Sequence, residues 1–288
     1  MKKSAAGLAL FAFLALGAPA FAAENAFSEF PEAVDKPVVI QLAGVWNSFD
    51  TQAALSVSRG GILALGTTVD MEKLFGVPVT QMDFRADGTW QISRRNYIEF
   101  GYAAFDRSGA RSLEGDVVWN GFTYKAGLTV EGKFNNTYAY VGWHYDILRS
   151  DNIKVWMGLS VAYEHFEMGL NGSAFLTDPN GTVTGKTDFN GISVGVPAPL
   201  LGIGVKGALS KNWTMDFYLR AIGFSSADIG GSVFEAGLSF GWYPWKNVGF
   251  VGGADYTKFS LTKYKTGDET VRAVYFYAGP RLGLVVGF

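Results

Sequence analysis

The last eighteen residues, Val271–Phe288, constrain the fold of this chain more than any other stretch. From Val274 to the final Phe288 every second residue is apolar, while the residues between them are tyrosine, glycine, arginine and valine. This alternation has a period of two, which indicates a β-strand and not a helix. One face of the strand is therefore continuously apolar, and the other is small, aromatic or charged.

A strand of this length can cross a membrane, since about 9–11 tilted residues are enough. Lipid offers no hydrogen-bond partner to the backbone, so a strand can cross only as part of a closed barrel. The sequence therefore predicts an all-β protein, specifically a transmembrane antiparallel β-barrel.

The N-terminus, Met1–Ala22, has the three parts of a secretory signal peptide. Two lysines precede an apolar run from Ala5 to Ala18, and Ala20-Phe21-Ala22 matches the small-residue cleavage pattern. The alternative is a membrane anchor, but the run is short for one and nothing resembling a stop-transfer flank follows. We expect residues 1–22 to be removed, residues 23–37 to form a periplasmic N-terminal segment and residues 38–288 to form the barrel.

Composition argues against several classes of function. A net charge of −2 gives no reason to expect nucleic acid as a partner. The chain has no cysteine and two histidines, so we expect neither a disulfide framework nor a metal site. It also lacks a phosphate-binding loop, a nucleophile elbow and a dinucleotide fingerprint, and we expect no cofactor. The combination of 37 Gly with 23 Phe, 13 Tyr and 8 Trp suits a barrel with aromatic girdles.

Alternating runs along the chain predict ten strands, an even number that places both termini in the periplasm. The predicted strands are Val38–Arg59, Gln81–Ser93, Tyr97–Phe105, Tyr138–Leu148, Ile153–Phe166, Leu200–Leu209, Trp213–Phe224, Val233–Tyr243, Val248–Phe259 and Val271–Phe288. Short polar breaks with nearby tryptophans, such as Pro244–Asn247, predict the periplasmic turns. Longer segments predict the extracellular loops, which are Gly60–Pro78, Asp106–Thr137, Glu167–Pro199, Ser225–Ser232 and Ser260–Thr270.

Barrels of eight and twelve strands are the alternatives. Twelve would result if Leu113–Trp119 and Phe122–Gly132 formed a membrane hairpin, since Asn120-Gly121 between them is a strong turn signal. We favour an extracellular extension for residues 112–134.

The face opposite the apolar one predicts a charged lumen. The acids on this face are Asp83, Asp87, Glu99, Asp146, Glu164, Asp216, Glu235 and Asp255, and the bases are Arg85, Lys154, Lys206, Arg220 and Arg281, with His144 beside them. A register that places Leu209 opposite Trp213 also pairs Lys206 with Asp216. Charges of both signs in so narrow a barrel favour a salt-bridged filling of the lumen, and the alternative is a narrow charged pore that selects small solutes.

A hydrolytic site is a further alternative. His144 and Asp146 share the inward face of one strand, and Ser160 of the next strand is expected diagonal to His144, as a Ser–His–Asp site would require. Glu164, His165 and Glu167 approach the outer rim. A lone inward histidine is more often simply hydrogen-bonded, so the sequence favours a protein that is not an enzyme.

The mature chain resembles small Gram-negative outer-membrane barrels, the broad class that includes the OmpA transmembrane domain and OmpW. The signal peptide, the alternating strands and the terminal Phe288 carry this resemblance. It implies the outer membrane as the location, with outer-membrane lipid and lipopolysaccharide around the barrel. It also implies the barrel-assembly machinery as a partner that reads Phe288 as an assembly signal. The chain is longer than eight strands usually need, so the functions of eight-stranded members do not transfer.

We therefore expect a porin-like passive barrel, either a narrow channel or a structural barrel with a charged, largely side-chain-filled lumen. The alternative is surface recognition or adhesion through the long loops Asp106–Thr137 and Glu167–Pro199. An outer-membrane hydrolase or lipid-modifying enzyme is the third hypothesis. The sequence does not identify a solute or a surface ligand.

Overall fold

The computed structural model describes residues 29–59, 62–64, 68–120, 122–172, 174–177, 183–186, 190–226, 228–266 and 269–288. The expected signal peptide, residues 1–22, lies outside the described residues, as does Gly121 of the predicted hairpin turn. Among the residues that the structure describes, no helix is long and apolar enough to cross a membrane.

Ten antiparallel strands form a closed barrel. They are β1 (Val38–Arg59), β4 (Thr80–Gln91), β5 (Asn96–Ser112), β8 (Thr129–Arg149), β9 (Ile153–Asn171), β12 (Asn190–Ser210), β13 (Trp213–Ser225), β14 (Ile229–Trp242), β15 (Val248–Thr266) and β16 (Glu269–Gly287). Each strand pairs with the next, and β16 pairs with β1 from Val39↔Gly287 to Val57↔Glu269, which closes the barrel. The ten predicted strands are confirmed, and the eight- and twelve-stranded alternatives are wrong. Consecutive strands meet at the predicted short polar breaks, which are Ser93–Asn96, Arg149–Asn152, Ser210–Asn212 and Pro244–Asn247.

The outer wall is apolar at the end that carries the short turns. Large apolar side chains are exposed there on strand after strand, including Leu282 at 62%, Leu201 at 62% and Phe84 at 75%. Trp213 and Trp242 stack with ring centroids 6.2 Å apart beside these turns, as an aromatic girdle requires. This belt is the part of the wall that lipid covers.

Most strands continue far beyond this belt, and their polarity inverts as they do. On β9, Leu159, Val161 and Tyr163 face outward at about half exposure, whereas Phe166, Met168 and Leu170 face inward and are fully buried. A 21-residue strand such as β8 is about 70 Å long at ~3.3 Å per residue, more than twice what a membrane needs. The outer half of the barrel is therefore built like a water-soluble protein, with an apolar interior and a polar exterior.

This inversion explains where the predicted strand ends were wrong. The segments expected as the loops Asp106–Thr137 and Glu167–Pro199 consist largely of strand, since β5, β8, β9 and β12 all extend into them. The alternation continues through these segments, but the apolar residues change from the outward to the inward face. The prediction assumed that the apolar face of every strand points outward. It therefore ended each strand at the residue where the apolar side chains change to the inward face.

The described part of the segment expected as the extracellular loop Gly60–Pro78 folds into the outer end of the barrel. It contains β2 (Ile62–Ala64), β3 (Val69–Asp70) and the short helix α1 (Met71–Phe75). Met71 and Phe75 are fully buried in the apolar interior. The helix ends at Gly76, which has a left-handed φ of 66°. A Cβ at Gly109 of β5 would lie 2.1 Å from the carbonyl oxygen of Gly76, so the close approach requires glycine there.

A second, small sheet lies apart from the barrel strands. Its four strands are β6 (Val117–Trp119), β7 (Phe122–Tyr124), β10 (Ala174–Thr177) and β11 (Val183–Lys186). Trp119 and Tyr124 of the β6–β7 hairpin are buried in the same apolar core as α1. The β6–β7 hairpin is therefore not part of the barrel wall, and we call this small sheet of β6, β7, β10 and β11 the outer cap.

Candidate functional site: the barrel lumen

The fourteen polar side chains expected on the lumen face all lie inside the barrel. Eight are buried, namely Asp83, His144, Asp146, Glu164, Arg220, Glu235, Asp255 and Arg281. Six are partly buried, namely Arg85, Asp87, Glu99, Lys154, Lys206 and Asp216. Their role as the wall of a pore stays a prediction.

Several of these side chains pair with one another in a layer across the lumen, which we call the charged layer, and Arg220 lies at its centre. It belongs to β13, the seventh strand around the barrel, and its guanidinium forms an ion pair with Glu99 of β5, the third strand. It also lies 3.3 Å from Glu235 of the neighbouring β14, and 4.6 Å above the ring of Tyr140. The Tyr140 hydroxyl donates to Glu99 at 2.8 Å. Because β5 and β13 lie nearly opposite each other, the Arg220–Glu99 pair crosses the lumen.

A second group of charges neutralises itself in the same layer. Arg85 Nε donates to both carboxylate oxygens of Asp87, at 2.9 and 2.8 Å. Arg281 lies 3.2 Å from Asp255, and Arg85 lies 3.9 Å from the same carboxylate. The Tyr218 hydroxyl also donates to Asp255, at 3.2 Å. These arginines are therefore engaged by carboxylates of the barrel itself.

The predicted pairing of Lys206 with Asp216 is confirmed. The two residues are opposite each other on β12 and β13, and their charged atoms are 3.0 Å apart. The register at the turn was wrong, since Ser210 and not Leu209 lies opposite Trp213. The register shifts between Ala208 and Ser210, which absorbs the extra residue.

Ser160 lies beside His144, but the catalytic grouping expected around them differs. The Ser160 Oγ is 3.5 Å from His144 Nε2, as their diagonal placement predicts. The carboxylate at the other ring nitrogen is Glu99, 3.0 Å from Nδ1, and not Asp146. His144 is fully buried and stacks on Trp156 with ring centroids 4.1 Å apart. Since Ser160 is also buried, a substrate carbonyl has no access to its hydroxyl, and these residues join strands.

The sequence analysis considered the charged residues of the inner face and missed the uncharged residues that donate hydrogen bonds to their carboxylates. Tyr275 of β16 donates a hydrogen bond to Glu164 of β9, and these strands are the tenth and fifth around the barrel. Asn136 donates to the same carboxylate, and Tyr138 donates to Glu235. Their inward position in alternating runs was the available signal. The Tyr275–Glu164 contact joins opposite walls.

The outer half holds a buried ion pair that the sequence did not point to. Arg107 of β5 is 1% exposed, and its Nη1 lies 2.7 Å from Glu72 of α1. The same nitrogen donates to the carbonyl of Pro78 at 3.2 Å, and Nη2 donates to Thr51 Oγ1 at 2.6 Å. The guanidinium also lies 4.0 Å from the ring of Phe49. These contacts fix α1 inside the outer half of the barrel.

A cavity of about 160 Å³ lies at the short-turn end of the lumen. Its lining is polar, and it includes the charged residues Lys36, Arg149, Lys154, Lys206, Asp146 and Asp216 together with Tyr97, Tyr243 and Trp156. It ends inward at the charged layer around Arg220. We call this cavity the vestibule. In the described residues, the lumen is open toward the periplasmic end as far as the charged layer, and this open part is the vestibule.

Among the side chains that the structure describes, no group of three or more histidine, aspartate or glutamate residues is placed to hold a metal ion. The carboxylates of the charged layer are instead held by arginine, lysine and tyrosine. The chemistry of this lumen is ion pairing and hydrogen bonding.

The shape of the chain matches known barrels, although its sequence does not. No family model matches the sequence, and no curated protein matches it significantly. Among solved structures, the outer-membrane protease OmpT of Escherichia coli is 11% identical, with a TM-score of 0.50 over 88% of this chain and 97% of that chain. The translocator domain of the autotransporter NalP from Neisseria meningitidis is 11% identical, with a TM-score of 0.45 over 98% and 96%. Neisserial surface protein A is 12% identical, with a TM-score of 0.30 over 88% and 97%.

The chain has the fold of a bacterial outer-membrane β-barrel. At these identities the likeness is one of fold alone. Outer-membrane barrels have an apolar belt, an even number of strands, and short turns at the end opposite the extracellular one. The chain has each of these features. The prediction of an all-β antiparallel barrel of ten strands is confirmed.

Proposed function

We propose that this protein is a structural outer-membrane barrel with a closed lumen, and that it acts through the folded half that projects from the membrane. One observation carries the proposal: side chains from opposite walls touch each other across the lumen at successive levels. Arg220 reaches Glu99, and Tyr275 reaches Glu164.

The apolar core adds a second closure beyond these polar contacts. The rings of Phe166 on β9 and Phe259 on β15 are 5.9 Å apart, and Phe134 on β8 lies 5.3 Å from Tyr275 on β16. These strands face each other across the barrel, so the rings fill its width. Ions would have to leave water to pass such a layer, which is costly. This supports the filled lumen over the narrow channel.

Conductance in a planar bilayer tests the closed lumen. We expect no conductance steps from the mature protein refolded into a barrel, as verified by heat-modifiable migration in gels. A general porin in the same bilayer is the control for detection. Reproducible steps whose ion selectivity changes in Arg85→Ala and Arg281→Ala variants would refute the proposal and establish a charged pore.

The projecting half supports surface recognition as the manner in which the barrel acts. This half has an apolar core that includes residues of helix α1 and of the outer cap. It is therefore a folded structure and not a set of short loops. Rigid scaffolds with exposed connecting segments are a common arrangement for binding. The cap hairpin can be removed without breaking the barrel ladder, because Ser112 and Thr129 are directly opposite in the last pair of β5 and β8. The removal also takes Trp119 and Tyr124 out of the apolar core, so the shortened barrel must be shown to fold.

The corresponding experiment replaces residues 113–128 by a two-residue hairpin turn. Cells that display the wild type or the shortened barrel are compared for adhesion to immobilised matrix proteins and heparin. Adhesion that the replacement abolishes, with heat-modifiable migration retained, supports recognition through the cap. Equal adhesion of both proteins, or none by either, contradicts it for these ligands.

A further inference from the structure

The segment that precedes β1 lies across the periplasmic mouth of the barrel. We call residues 29–37 the N-terminal strap. The Phe30 N–H donates to the carbonyl of Asp151, in the turn between β8 and β9, at 3.1 Å. Ala33 is fully buried in a small cluster with Tyr243, Val251 and Val285. Val34 and Lys36 form part of the wall of the vestibule. The strap therefore covers the cavity and is itself part of its wall.

The barrel wall beneath the strap carries three cations in one row. Arg149 is directly opposite Lys154, and Lys154 is directly opposite Lys206, across β8, β9 and β12. All three line the vestibule. Like charges directly opposite each other destabilise a sheet. Such a row needs anions close by.

The strap supplies one of these anions. The Asp35 carboxylate contacts Lys154 Nζ, and it lies 3.4 Å from Arg149 Nη2. Lys206 and Arg149 also have carboxylate partners on the barrel strands, in Asp216 and Asp146. Among the described residues, the ion pair of Lys154 is made with the strap alone.

Lys154, the middle cation of the row, thus makes its ion pair with a residue that lies outside the barrel strands. Lys154 Nζ also lies 4.4 Å from the centroid of the Phe30 ring. The site therefore recognises two groups of one short peptide, an aromatic ring and a carboxylate five residues later. Cation–π contact and charge-assisted hydrogen bonding explain both preferences.

We propose that the mouth of the barrel is a binding site for an acidic peptide segment that carries an aromatic residue, and that the strap occupies it as an intramolecular ligand. A segment of this chemistry on a periplasmic protein replaces the strap and binds the barrel to that protein. The strap competes at the high effective concentration of a tethered ligand. Its outer ion pair, Glu32 with Lys246, is exposed and is weakened by salt, which favours exchange.

The direct test uses a barrel that lacks residues 23–36 and keeps Pro37, whose carbonyl accepts the Gln91 N–H at 2.7 Å. The probe is a fluorescent peptide with the sequence of residues 29–37, and binding is followed by fluorescence anisotropy in detergent. We expect the peptide to bind this barrel at least about tenfold more tightly than the intact barrel, because the tethered strap competes in the latter.

Matched peptides distinguish the carboxylate site from general charge attraction. An Asp35→Asn peptide should bind about tenfold more weakly, since it loses a contact with two cations. A Glu32→Gln peptide has the same net charge as the Asp35→Asn peptide but should bind almost as well as the original, because Glu32 pairs with Lys36 of the strap itself and with the exposed Lys246. A Lys154→Met substitution in the shortened barrel should also weaken binding.

Equal affinities of the Asp35→Asn and Glu32→Gln peptides would overturn the proposal, as would absence of binding to a shortened barrel with heat-modifiable migration. If the shortened barrel does not fold, the full-length chain provides the test. Limited proteolysis should cut the strap faster in an Asp35→Asn variant than in a Glu32→Gln variant. Equal rates in the two variants would overturn the proposal.

Discussion

Replacing Arg107 by methionine should release the segment that contains α1 from the outer half of the barrel. The guanidinium holds α1 through Glu72, the end of the segment through the Pro78 carbonyl, and β1 through Thr51. Methionine fills a similar space but provides none of these hydrogen bonds. The Glu72 carboxylate would remain buried, with the Thr51 N–H at 2.9 Å as its remaining hydrogen bond.

The size of the effect follows from this unpaired charge. Removing one partner of a buried ion pair costs about 3–5 kcal/mol, because the other charge stays in a poorly solvated site. The segment can avoid part of that cost by leaving the barrel. Since each 1.4 kcal/mol is a factor of ten, amide protection in Val69–Phe75 should fall by roughly two to three orders of magnitude.

Hydrogen exchange measured by mass spectrometry on the refolded barrel provides the assay. Arg111→Met is the matched control, since Arg111 lies on the same strand with a half-exposed side chain that donates to the Lys73 carbonyl. It should cost less than about 1 kcal/mol. The double variant Arg107→Met/Glu72→Leu should recover most of the protection, because no buried charge is left unpaired.

The reasoning would be refuted if Arg107→Met and Arg111→Met lowered protection equally. It would also be refuted if Glu72→Leu failed to restore protection in the Arg107→Met background. Either outcome would mean that apolar packing of α1, and not the buried pair, holds the segment.

Three further predictions concern the membrane belt, the C-terminus and the cap. Leu282→Arg places a charge on a lipid-facing position that is 62% exposed and should lower the free energy of unfolding in lipid by about 2–4 kcal/mol, while equal unfolding of Leu282→Arg and Leu282→Ala would contradict lipid contact there. Deleting Phe288 should reduce the heat-modifiable fraction in outer membranes, and normal insertion would argue against its role as the assembly signal. The Lys125 ammonium and the Ala126 N–H hold the pKa of Asp116 below its usual value, so Lys125→Met should raise that pKa in an NMR titration. The wild-type pair should persist until the pH falls through this lowered pKa, and an unchanged pKa in the variant would contradict the contact.

The sequence predicted the part of the barrel that touches lipid. Alternation in Ile153–Phe166 and Val271–Phe288 found strands whose apolar face is outward, and the short polar breaks found the turns between them. These signals are local, because the polarity of each side chain matches the environment, lipid or lumen, on the face of the strand to which it points. The pairing of Lys206 with Asp216 was predicted across one short turn and is correct, although the register shift between Ala208 and Ser210 was not predicted.

Partners across the lumen could not be predicted in this way. Sequence placed Glu99 and Arg220 on the inner face, but their contact depends on which strands lie opposite in the closed barrel. His144 was expected near Asp146 because they are close in the chain, whereas its carboxylate neighbour is Glu99 on the adjacent strand. Glu72 and Arg107 were assigned to loops, because nothing local shows that a loop folds inward.

The sequence by itself predicted a transmembrane antiparallel β-barrel of ten strands and predicted which side chains lie on its outer and inner faces. That information lies in a period of two, which depends only on the alternation of side chains along an extended backbone. The tertiary structure alone decided that the strands continue beyond the apolar belt and that side chains of opposite walls meet across the lumen. A strand whose apolar face changes sides looks like a loop until its neighbours surround it, because burial is a property of the assembled wall and not of the segment.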